Sequence, residues 1–284
     1  MNRYHPLNAQ EARIIEHKGT EAPYSGIYDK QMGAGVYGCK KCDTPLFISS
    51  SKFDSGCGWP SFDEAIMDHV KSDLDADGER EEIVCNHCHG HLGHVFKGER
   101  LTSKNTRHCV NSISIRFISA YNEQGYERAV VAGGCFWGVD YLLKKEKGVV
   151  STESGYIGGH VVNPTYEEVC SHLTGHVEAC EVFFDPEKTS YEKILEAFFE
   201  IHNFTQKDGQ GPDIGPQYLS KIYIYSPKQQ KTAEDLIEKL KKMGYKVATT
   251  IEYGMPFYKA ENYHQNYYEK TGKTPYCHLK KKIF

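Results

Sequence analysis

Residues 129–138 read Ala-Val-Val-Ala-Gly-Gly-Cys-Phe-Trp-Gly, a pattern typical of a strand that turns into a helix. The apolar run suits a short buried strand, and the paired glycines permit a tight turn and the close approach of a ligand. Cys135 would then stand at a helix N-terminus, where free backbone N–H groups and the helix dipole favour the thiolate. Phe136 and Trp137 offer an apolar cage for a group as small as a methyl, although such aromatics are more often core residues.

The rest of the second half alternates strands with helices. Further strands are predicted at 178–184, 221–225 and 246–251. Helices are predicted from 136 to about 146, from near Ser190 onward, and over the strongly amphipathic segment 228–243. This alternation predicts an α/β or α+β domain.

The first half has a different texture. Residues 24–117 combine glycine, aromatic and β-branched residues in short alternating segments, so we predict a mainly antiparallel β domain after a short helix at 7–17. Residues 118–128 lack an apolar period and suit a linker. We therefore expect a first domain at 1–118, a linker at 119–128 and a second domain at 129–284.

Length and charge limit the possible partners. The 284 residues carry a net charge of −4 without a basic block, so we expect neither nucleic acid nor anionic membrane as a partner. The apolar runs are too short to span a bilayer, and the first residues lack the apolar region of a signal peptide, so we expect a cytoplasmic protein. The ten cysteines suit metal binding and redox chemistry better than a disulfide framework.

Two C-x-x-C pairs predict a metal site. The ligands would be Cys39, Cys42, Cys85 and Cys88. Four thiolates close a tetrahedral zinc site without an open position, so one structural Zn²⁺ is expected. His87 and His89 are spare candidates, and four unrelated buried cysteines are the alternative. The gap at 43–84 exceeds the usual ribbon spacing and implies an inserted substructure.

Cys109 is a second candidate nucleophile. If residues 107–117 form one strand, Arg107, Cys109 and Asn111 share a face. An arginine beside a thiol lowers the pKa of that thiol, and Asn111 could donate a hydrogen bond to it. A buried cysteine without a chemical role fits this segment equally well.

Two further segments favour a chemical role for Cys109. Cys57 lies beside the indole of Trp59 in a glycine-rich stretch, and the pair His91 and His94 offers two imidazoles. On spacing alone, those histidines could be catalytic groups, metal ligands or core residues.

Residues 7–117 resemble a methionine-R-sulfoxide reductase of the zinc-containing kind. The matching pieces are both C-x-x-C pairs, Ser-Gly-Cys-Gly-Trp-Pro-Ser-Phe at 55–62, Gly-His-Leu-Gly-His-Val-Phe at 90–96 and Arg-His-Cys-Val-Asn-Ser at 107–112. The resemblance implies that Cys109 is the nucleophile, Cys57 the resolving thiol and Trp59 the holder of the substrate methyl. It also implies a site lined by His91, His94, Arg107 and Asn111.

The first half departs from that family at one place. The family often has an acidic residue and Gly-Pro after the His-Val-Phe stretch, whereas this chain has Lys-Gly-Glu-Arg at 97–100. Glu99 is the candidate substitute, shifted by one residue.

Residues 129–277 resemble a methionine-S-sulfoxide reductase. The matching pieces are Gly-Cys-Phe-Trp-Gly at 134–138, Gly-Tyr-Ile-Gly-Gly at 155–159, Asn-Pro-Thr-Tyr-Glu-Glu-Val-Cys at 163–170, Thr-Gly-His-Val-Glu at 174–178 and the stretch 213–218. This resemblance implies an α+β plait fold, whose core is also called an α/β plait. It also implies a recycling thiol at the place of Cys277, in a terminal segment that we expect to move.

The chemistry of a sulfoxide explains why acidic and hydroxyl groups would accompany Cys135. A sulfoxide sulfur becomes electrophilic when its oxygen is protonated, so a buried Glu178 would act as the acid. Tyr166 and Tyr218 would hydrogen-bond the same oxygen, and Asp213 would help position the substrate. Attack leaves a sulfenic acid on Cys135, which a second thiol must resolve. Cys277 is the first candidate, followed by Cys170 and Cys180.

Together these features predict a fused bifunctional enzyme that reduces both epimers of methionine sulfoxide, free or in oxidised proteins. Each epimer needs its own enzyme, and a thioredoxin-like dithiol is the expected electron donor. Two other functions are consistent with parts of the sequence. The cysteine pairs alone allow a zinc-ribbon binding module, but no basic or aromatic stripe accompanies them. His91 and His94 could serve a metal-dependent hydrolase, which a chelator would inhibit directly.

Overall fold

Short segments of the first half form antiparallel strands in the computed structural model, which describes residues 3–75 and 78–284. Residues 3–119 make one compact unit. Its helix and strands are α1 (Ala9–Ile15), β1 (Gly35–Cys39), β2 (Pro45–Ile48), β3 (Lys52–Phe53), β4 (Ser61–Phe62), β5 (Val70–Leu74), β6 (Glu81–Cys85), β7 (His91–Lys97), β8 (Thr106–Val110) and β9 (Ile115–Ser119).

These strands build two sheets. Three strands pair in the order β2-β1-β9, and six pair in the order β3-β4-β8-β7-β6-β5. Every one of these pairings is antiparallel, so the predicted architecture of the first half is confirmed. Tyr37, Phe47 and Phe62 are fully buried in its core, with the rings of Phe47 and Phe62 stacked at 4.3 Å.

The single strand predicted at 107–117 is wrong, because the chain leaves one sheet and enters another at Asn111. Strand β8 ends at Val110, a short 3₁₀ turn covers Ser112–Ser114, and β9 then pairs with β1. The carbonyl of Asn111 accepts a bond from the N–H of Ser114, which closes this turn. Its side-chain oxygen accepts the N–H of Glu21, and its amide nitrogen donates to Leu92. These bonds hold Asn111 at the crossing point.

Residues 120–284 form the second unit, in which strands and helices alternate as predicted. The elements are β10 (Glu127–Ala132), α2 (Phe136–Leu143), β11 (Val149–Ile157), α3 (Tyr166–Cys170), β12 (Val177–Phe184), α4 (Tyr191–Ile201), β13 (Gly209–Gln210), β14 (Asp213–Ile214), β15 (Lys221–Ile224), α5 (Pro227–Lys242), β16 (Thr250–Tyr253), β17 (Tyr258–Lys259) and α6 (Tyr267–Thr271).

One six-stranded sheet organises this unit. Its order is β16-β15-β10-β12-β11-β17, and only the pairing of β15 with β16 is parallel among the described pairings. Helix α5 begins after the Ser226 cap and buries Ala233, Leu236, Ile237 and Leu240, at the spacing of one helix face. A leucine or isoleucine side chain contributes about 1.5–3 kcal/mol when fully buried. The result is a mixed sheet covered by helices.

Several predicted boundaries need correction. The strand predicted at 246–251 lies at Thr250–Tyr253, because the preceding residues bond elsewhere. The N–H of Ala248 donates to Phe204, and the hydroxyls of Thr249 and Ser220 are 2.7 Å apart. Helix α2 ends at Leu143 rather than near residue 146.

Strand β10 begins inside the segment predicted as a linker. It starts at Glu127, whose carboxylate accepts a hydrogen bond from Gln229 on α5, and the N–H of Arg128 donates to Ala120. Burial of Glu127 therefore depends on a partner 102 residues away, which local sequence does not reveal. In the described part of the chain, no helix has both the length and the apolar content that crossing a membrane requires.

Candidate active sites and metal centre

The four cysteines of the two C-x-x-C pairs lie together in the first unit. The ligand atoms of Cys39, Cys42, Cys85 and Cys88 are all within 4.8 Å of one another, and three of these residues are buried. Each pair sits in a turn that follows a strand, closed by the N–H of Asp43 on Cys39 and of His89 on Cys85. His87 and His89 are exposed and do not belong to the cluster.

The spacing of these sulfurs fits a tetrahedral metal. The Sγ atoms of Cys39 and Cys88 are 3.6 Å apart, and those of Cys42 and Cys85 are 3.5 Å apart. Four thiolates at the usual zinc–sulfur length of about 2.3 Å lie about 3.8 Å from each other. Four buried sulfurs at nearly this spacing are the donor set of a closed site.

Cys57 and Cys109 meet in the same unit although 52 residues separate them. Cys109 lies on β8, opposite Ser61 on β4, and Cys57 lies in the loop before β4. Their sulfurs are 3.8 Å apart. Gly58, at φ +89°, brings this loop against the chain at Tyr24, where an added Cβ would lie 2.8 Å from the backbone nitrogen. The conformation of this loop therefore places the thiol of Cys57 next to that of Cys109.

The pKa values of these two thiols shift in opposite directions, and that of Cys109 is raised although Arg107 was predicted to lower it. Hydrogen bonds from Cys109, Ser55 and Ser61 lower the pKa of Cys57 to about 4, against the effect of burial. The hydrogen bond to Cys57, burial and the Cys57 charge raise the pKa of Cys109, and they outweigh Arg107, which lowers it. Hydrogen bonding therefore favours a thiolate at Cys57 over one at Cys109. Arg107 lowers the pKa of Cys109 as predicted, but its effect is smaller than the combined effects that raise this pKa.

A cavity of about 150 Å³ adjoins Cys109. The described residues that line it are Thr20, Trp59, Arg80, Gly93, His94, Phe96, Cys109 and Asn111. The indole N–H of Trp59 donates to the carbonyl of Glu21 at 3.2 Å, which fixes the ring at the edge of the space. Three of the residues predicted for this site, Trp59, His94 and Asn111, thus share one small cavity with the candidate nucleophile.

Asn111 does not have the predicted contact with sulfur. Its amide nitrogen donates to the carbonyl of Leu92 at 3.1 Å, and its oxygen accepts from Glu21. The predicted hydrogen bond from Asn111 to Cys109 is therefore replaced by two backbone bonds. The residue instead shapes the wall of the cavity.

The two histidines each bond a carboxylate that sequence reasoning did not select. Nδ1 of His91 is 2.7 Å from Glu82, and Nε2 of His94 is 2.9 Å from Asp75. Among the described residues, Nε2 of His91 is buried without a hydrogen-bond partner. Burial lowers the pKa of His91, against the raising effect of Glu82. The spacing of the two histidines could not reveal these carboxylates, because Glu82 lies on the neighbouring strand β6 and Asp75 follows β5.

Arg107 is held by Glu99. Its Nε and a terminal nitrogen donate to the two carboxylate oxygens of Glu99 at 2.7 and 2.9 Å, and its guanidinium lies 4.4 Å from the centre of the Phe96 ring. The contact with Glu99 is the main factor that raises the pKa of Arg107. Arg107 is thus oriented beside Cys109 by an acid at the shifted position.

The second unit places Cys135 at the N-terminus of α2, at the end of the turn after β10. Cys135 is the N-cap residue and is 7 % exposed. Burial and the charge of Glu178 raise the pKa of its thiol, whereas the backbone N–H of Trp137 lowers it. The predicted lowering by the helix end is present but is outweighed by the removal of the sulfur from water. The resting thiol is therefore protonated.

Glu178 lies beside this turn on β12. It is 2 % exposed, and its carboxylate accepts a hydrogen bond from the N–H of Phe136 at 3.1 Å. Burial raises the pKa of Glu178 to about 8, the N–H of Phe136 opposes this, and Asp213 adds to it. A carboxyl group that keeps its proton at neutral pH is thus in place next to Cys135.

Tyr166, Tyr218 and the ring of Phe136 lie near these groups. The charge of Glu178 acts on Tyr166 and Tyr218, whose pKa values burial raises above the usual range. Phe136 is buried against Tyr156. The predicted residues of the second site therefore gather around one buried carboxyl group.

Trp137 is braced by residues that sequence reasoning missed. Its indole N–H donates to Nδ1 of His264 at 3.0 Å, and its ring stacks on Tyr267 at 3.7 Å. Glu261 accepts bonds from the hydroxyl of Tyr156 and the N–H of Tyr166. These residues come from 261–267, more than 120 positions after Trp137. A dense run of histidine and aromatic residues there was the available signal.

The tail brings Cys277 to the same region. Tyr276 donates its hydroxyl hydrogen to the carboxylate of Asp213, whose two oxygens are each 3.0 Å away, and Gln210 donates to the carbonyl of Cys277. Cys180 is fully buried in the hydrophobic core, and Cys170 is partly buried on α3. Of the three candidate resolving thiols, Cys277 lies in a segment without regular structure.

The second unit has a buried thiol beside a protonated carboxyl group, and the first has two thiols 3.8 Å apart at a small cavity. These two centres are typical of a thiol-dependent oxidoreductase. Residues 127–284 match the family model described as peptide methionine sulfoxide reductase, and residues 7–119 match that of the SelR domain. The chain belongs to the peptide methionine sulfoxide reductase family, with a SelR domain fused before the MsrA-type domain.

Curated relatives and a solved structure agree. The peptide methionine sulfoxide reductase MsrA of Saccharolobus solfataricus is 47% identical over 154 residues, which cover 54% of this chain and 87% of the relative. That of Methanosarcina mazei is 49% identical over 152 residues, 52% of this chain and 72% of the relative. Reduced Mxr1 from Saccharomyces cerevisiae aligns with a TM-score of 0.53 and 31% identity, over 57% of this chain and 96% of Mxr1. The chain is thus an enzyme with peptide methionine sulfoxide reductase activity.

Proposed function

We propose that the two units reduce opposite epimers of methionine sulfoxide, free or in proteins. The S epimer would react at Cys135, within residues 129–284, and the R epimer at Cys109, within residues 1–118. The observation that carries this proposal is that each unit has its own thiol centre. One thiol lies beside a buried acid and the other beside a second thiol.

At the S site, Glu178 protonates the sulfoxide oxygen while Cys135 attacks the sulfur. The raised pKa of Glu178, about 8, supports this role, since the group holds a proton to give at neutral pH. Tyr166 and Tyr218 hydrogen-bond the same oxygen, and Phe136 and Trp137 enclose the methyl. Oxygen passes to Cys135 as a sulfenic acid, and methionine leaves as a thioether. The substrate is positioned with the help of Asp213, whose carboxylate binds Tyr276 in the free site.

At the R site, Cys109 attacks the sulfoxide and Cys57 resolves the resulting sulfenic acid. The cavity beside Cys109 has room for a small apolar group against Trp59, with His94 and Asn111 on its walls. His91 and Arg107 support the site from outside that cavity. Hydrogen bonds from Ser55 and Ser61, which do not depend on Cys109, lower the pKa of Cys57 and favour the thiolate that attacks the sulfenic acid.

Each site then holds a disulfide that needs two electrons. Cys57 would pair with Cys109, and Cys135 with Cys277. A thioredoxin-like dithiol supplies these electrons by disulfide exchange. Mxr1, which resembles the second unit, is also known in complex with Trx2. Free thiols throughout the chain suit a reducing compartment, and we place the enzyme in the cytoplasm.

The four-cysteine cluster would hold one structural Zn²⁺. Four thiolates leave no open coordination position, so the metal would stabilise the turns after β1 and β6 and take no part in the reaction. Sulfoxide reduction would therefore depend on this metal only through the folded state of the first unit.

The test uses separately resolved S and R sulfoxides with dithiothreitol as reductant. Cys135→Ser should abolish reduction of the S epimer and leave reduction of the R epimer within twofold, and Cys109→Ser should do the reverse. Each variant is the matched control of the other. Loss of both activities in either single variant would contradict the assignment of separate sites.

A further inference from the structure

The tail residue after Cys277 has no assigned role so far, yet it is bound tightly to the S site. His278 is 2 % exposed, and its Nε2 is 2.7 Å from the carbonyl oxygen of Gly133, in the turn before Cys135. Its ring occupies space above Gly138 on α2, where an added Cβ would lie 2.2 Å from Nδ1. A glycine inside a helix is unfavourable by about 0.5–1 kcal/mol relative to alanine, and this contact explains it.

The hydrogen bonds of His278 determine which nitrogen carries the proton. A carbonyl oxygen only accepts, so Nε2 must donate to Gly133. In the neutral ring, Nδ1 is then an acceptor. Nδ1 lies 3.0 Å from the sulfur of Cys277, so it is one acceptor for the S–H hydrogen of this thiol, and the Asp213 carboxylate is the other. The backbone thus holds the imidazole in the tautomer of a base aimed at Cys277.

Cys277 needs such a base. Burial raises the pKa of its thiol to about 12, and the carboxylate of Asp213 adds to this effect. Burial lowers the pKa of His278, so the ring is neutral and able to accept at neutral pH. The negative charge of Asp213 raises the pKa of both groups, so it stabilises the protonated imidazole and destabilises the thiolate. His202, whose Nε2 is 2.8 Å from the hydroxyl of Ser220, is a second buried imidazole, and its charge interacts with that of His278.

We propose that His278 is the catalytic base of the recycling step, in which Nδ1 takes the proton of Cys277 as its sulfur attacks the sulfenic acid of Cys135. A sulfur–sulfur bond forms and the sulfur–oxygen bond of the sulfenic acid breaks. The hydroxide that leaves receives the proton from Nδ1 and departs as water. The step needs no outside oxidant or reductant. It rests on the proposed role of Cys135 and Cys277.

The test separates methionine release from disulfide formation in one turnover with the S epimer. His278→Gln keeps an amide N–H that can reach Gly133 but has no base at the Nδ1 position. Methionine release should stay within twofold of the wild type, whereas formation of the Cys135–Cys277 disulfide, followed by quenched mass mapping, should slow about 100-fold, the lower range for a general base. In the wild type this rate should fall as acidification protonates His278, whose pKa burial lowers. In the variant it should rise steadily with pH as Cys277 itself ionises.

Two further variants distinguish a base from an anchor. His278→Asn loses the contact with Gly133, so an anchoring role alone predicts a normal rate in His278→Gln and a slow rate in His278→Asn; this outcome overturns the proposal. Leu279→Gln is the control, since this neighbouring side chain is 78% exposed, and its disulfide should form at the wild-type rate. A wild-type crosslink from Cys135 to Cys170 or Cys180 would instead refute the proposed resolving thiol.

Discussion

At the scale of single residues, the environment decides the chemistry more than the residue type does. Cys135 and Cys109 both have raised thiol pKa values, although one lies at a helix N-terminus and the other beside an arginine. Burial and the charge of Glu178 raise the pKa of Cys135, whereas at Cys109 the hydrogen bond to Cys57 is the main cause, followed by burial. Glu178 benefits from the same effect, because burial preserves the proton that an acid must give.

Glu178 should control the pH dependence of S-epimer reduction. Because its pKa is raised to about 8, it is protonated below that pH, so the single-turnover rate should be level near neutrality and fall above pH 8. Ionisation of Cys135 would instead give a rising rate. Glu178→Gln should lower kcat about 100-fold or more, with little change in KM, and remove the falling limb.

Glu187→Gln is the control for this prediction, because Glu187 is an exposed carboxylate just beyond β12. It should keep the wild-type rate and profile. A falling limb that persists unchanged in Glu178→Gln would assign the titration to another group.

At the scale of elements, turns and loops bring the reactive groups to rigid strands. The loop before β4 delivers Cys57 to β8, the turn after β10 presents Cys135, and the crossing at Asn111 shapes the cavity wall. A sheet fixes the position of one reactive residue, such as Cys109, and a glycine such as Gly58 lets the loop that carries the second residue come close. The approach of Cys57 raises the pKa of Cys109 on β8.

Cys57→Ser should lower the pKa of Cys109. The variant removes the neighbouring thiolate that raises this pKa and leaves Arg107, which lowers it. Alkylation of Cys109 by iodoacetamide should therefore reach its midpoint at lower pH than in the wild type, as measured by mass mapping of the peptide that contains it. Cys170→Ser, the same change in the other unit, should leave the midpoint unchanged. An equal or higher midpoint in Cys57→Ser would show that Cys57 does not control the charge of Cys109.

At the scale of the whole molecule, two compact units carry separate cores and separate sites. The four-cysteine cluster belongs to the first unit alone. Structural zinc in small domains contributes about 10–16 kcal/mol of apparent binding free energy, which is also folding free energy. Loss of the metal should therefore lower the stability of the first unit and leave that of the second unit unchanged.

Cys39→Ser should lose the metal, lower the unfolding temperature of the first unit and abolish R-epimer reduction. S-epimer reduction should remain within twofold, because its residues all lie in 120–284. Elemental analysis and calorimetry measure the first two effects, and Cys170→Ser should retain the metal. Well-folded wild-type protein with almost no metal would exclude a structural ion.

The sequence alone determined the features that depend on local pattern. Strand and helix alternation predicted a mixed α/β unit, short alternating segments predicted antiparallel sheets, and the paired cysteines predicted the four-cysteine cluster. Motif resemblance selected Cys109, Cys135 and the residues proposed around them. These signals are local because periodicity, glycine turns and ligand spacing act over a few residues.

Only the tertiary structure decided which groups hydrogen-bond one another and shift one another's pKa values. The charge of the Cys57–Cys109 pair, the hold of Glu99 on Arg107 and the bracing of Trp137 by His264 depend on contacts between distant segments. The tautomer of His278 is likewise set by Gly133, 145 residues away. Burial and hydrogen bonding set a pKa, and both exist only when the chain has folded. That is why the sequence could indicate the thiols but not their protonation.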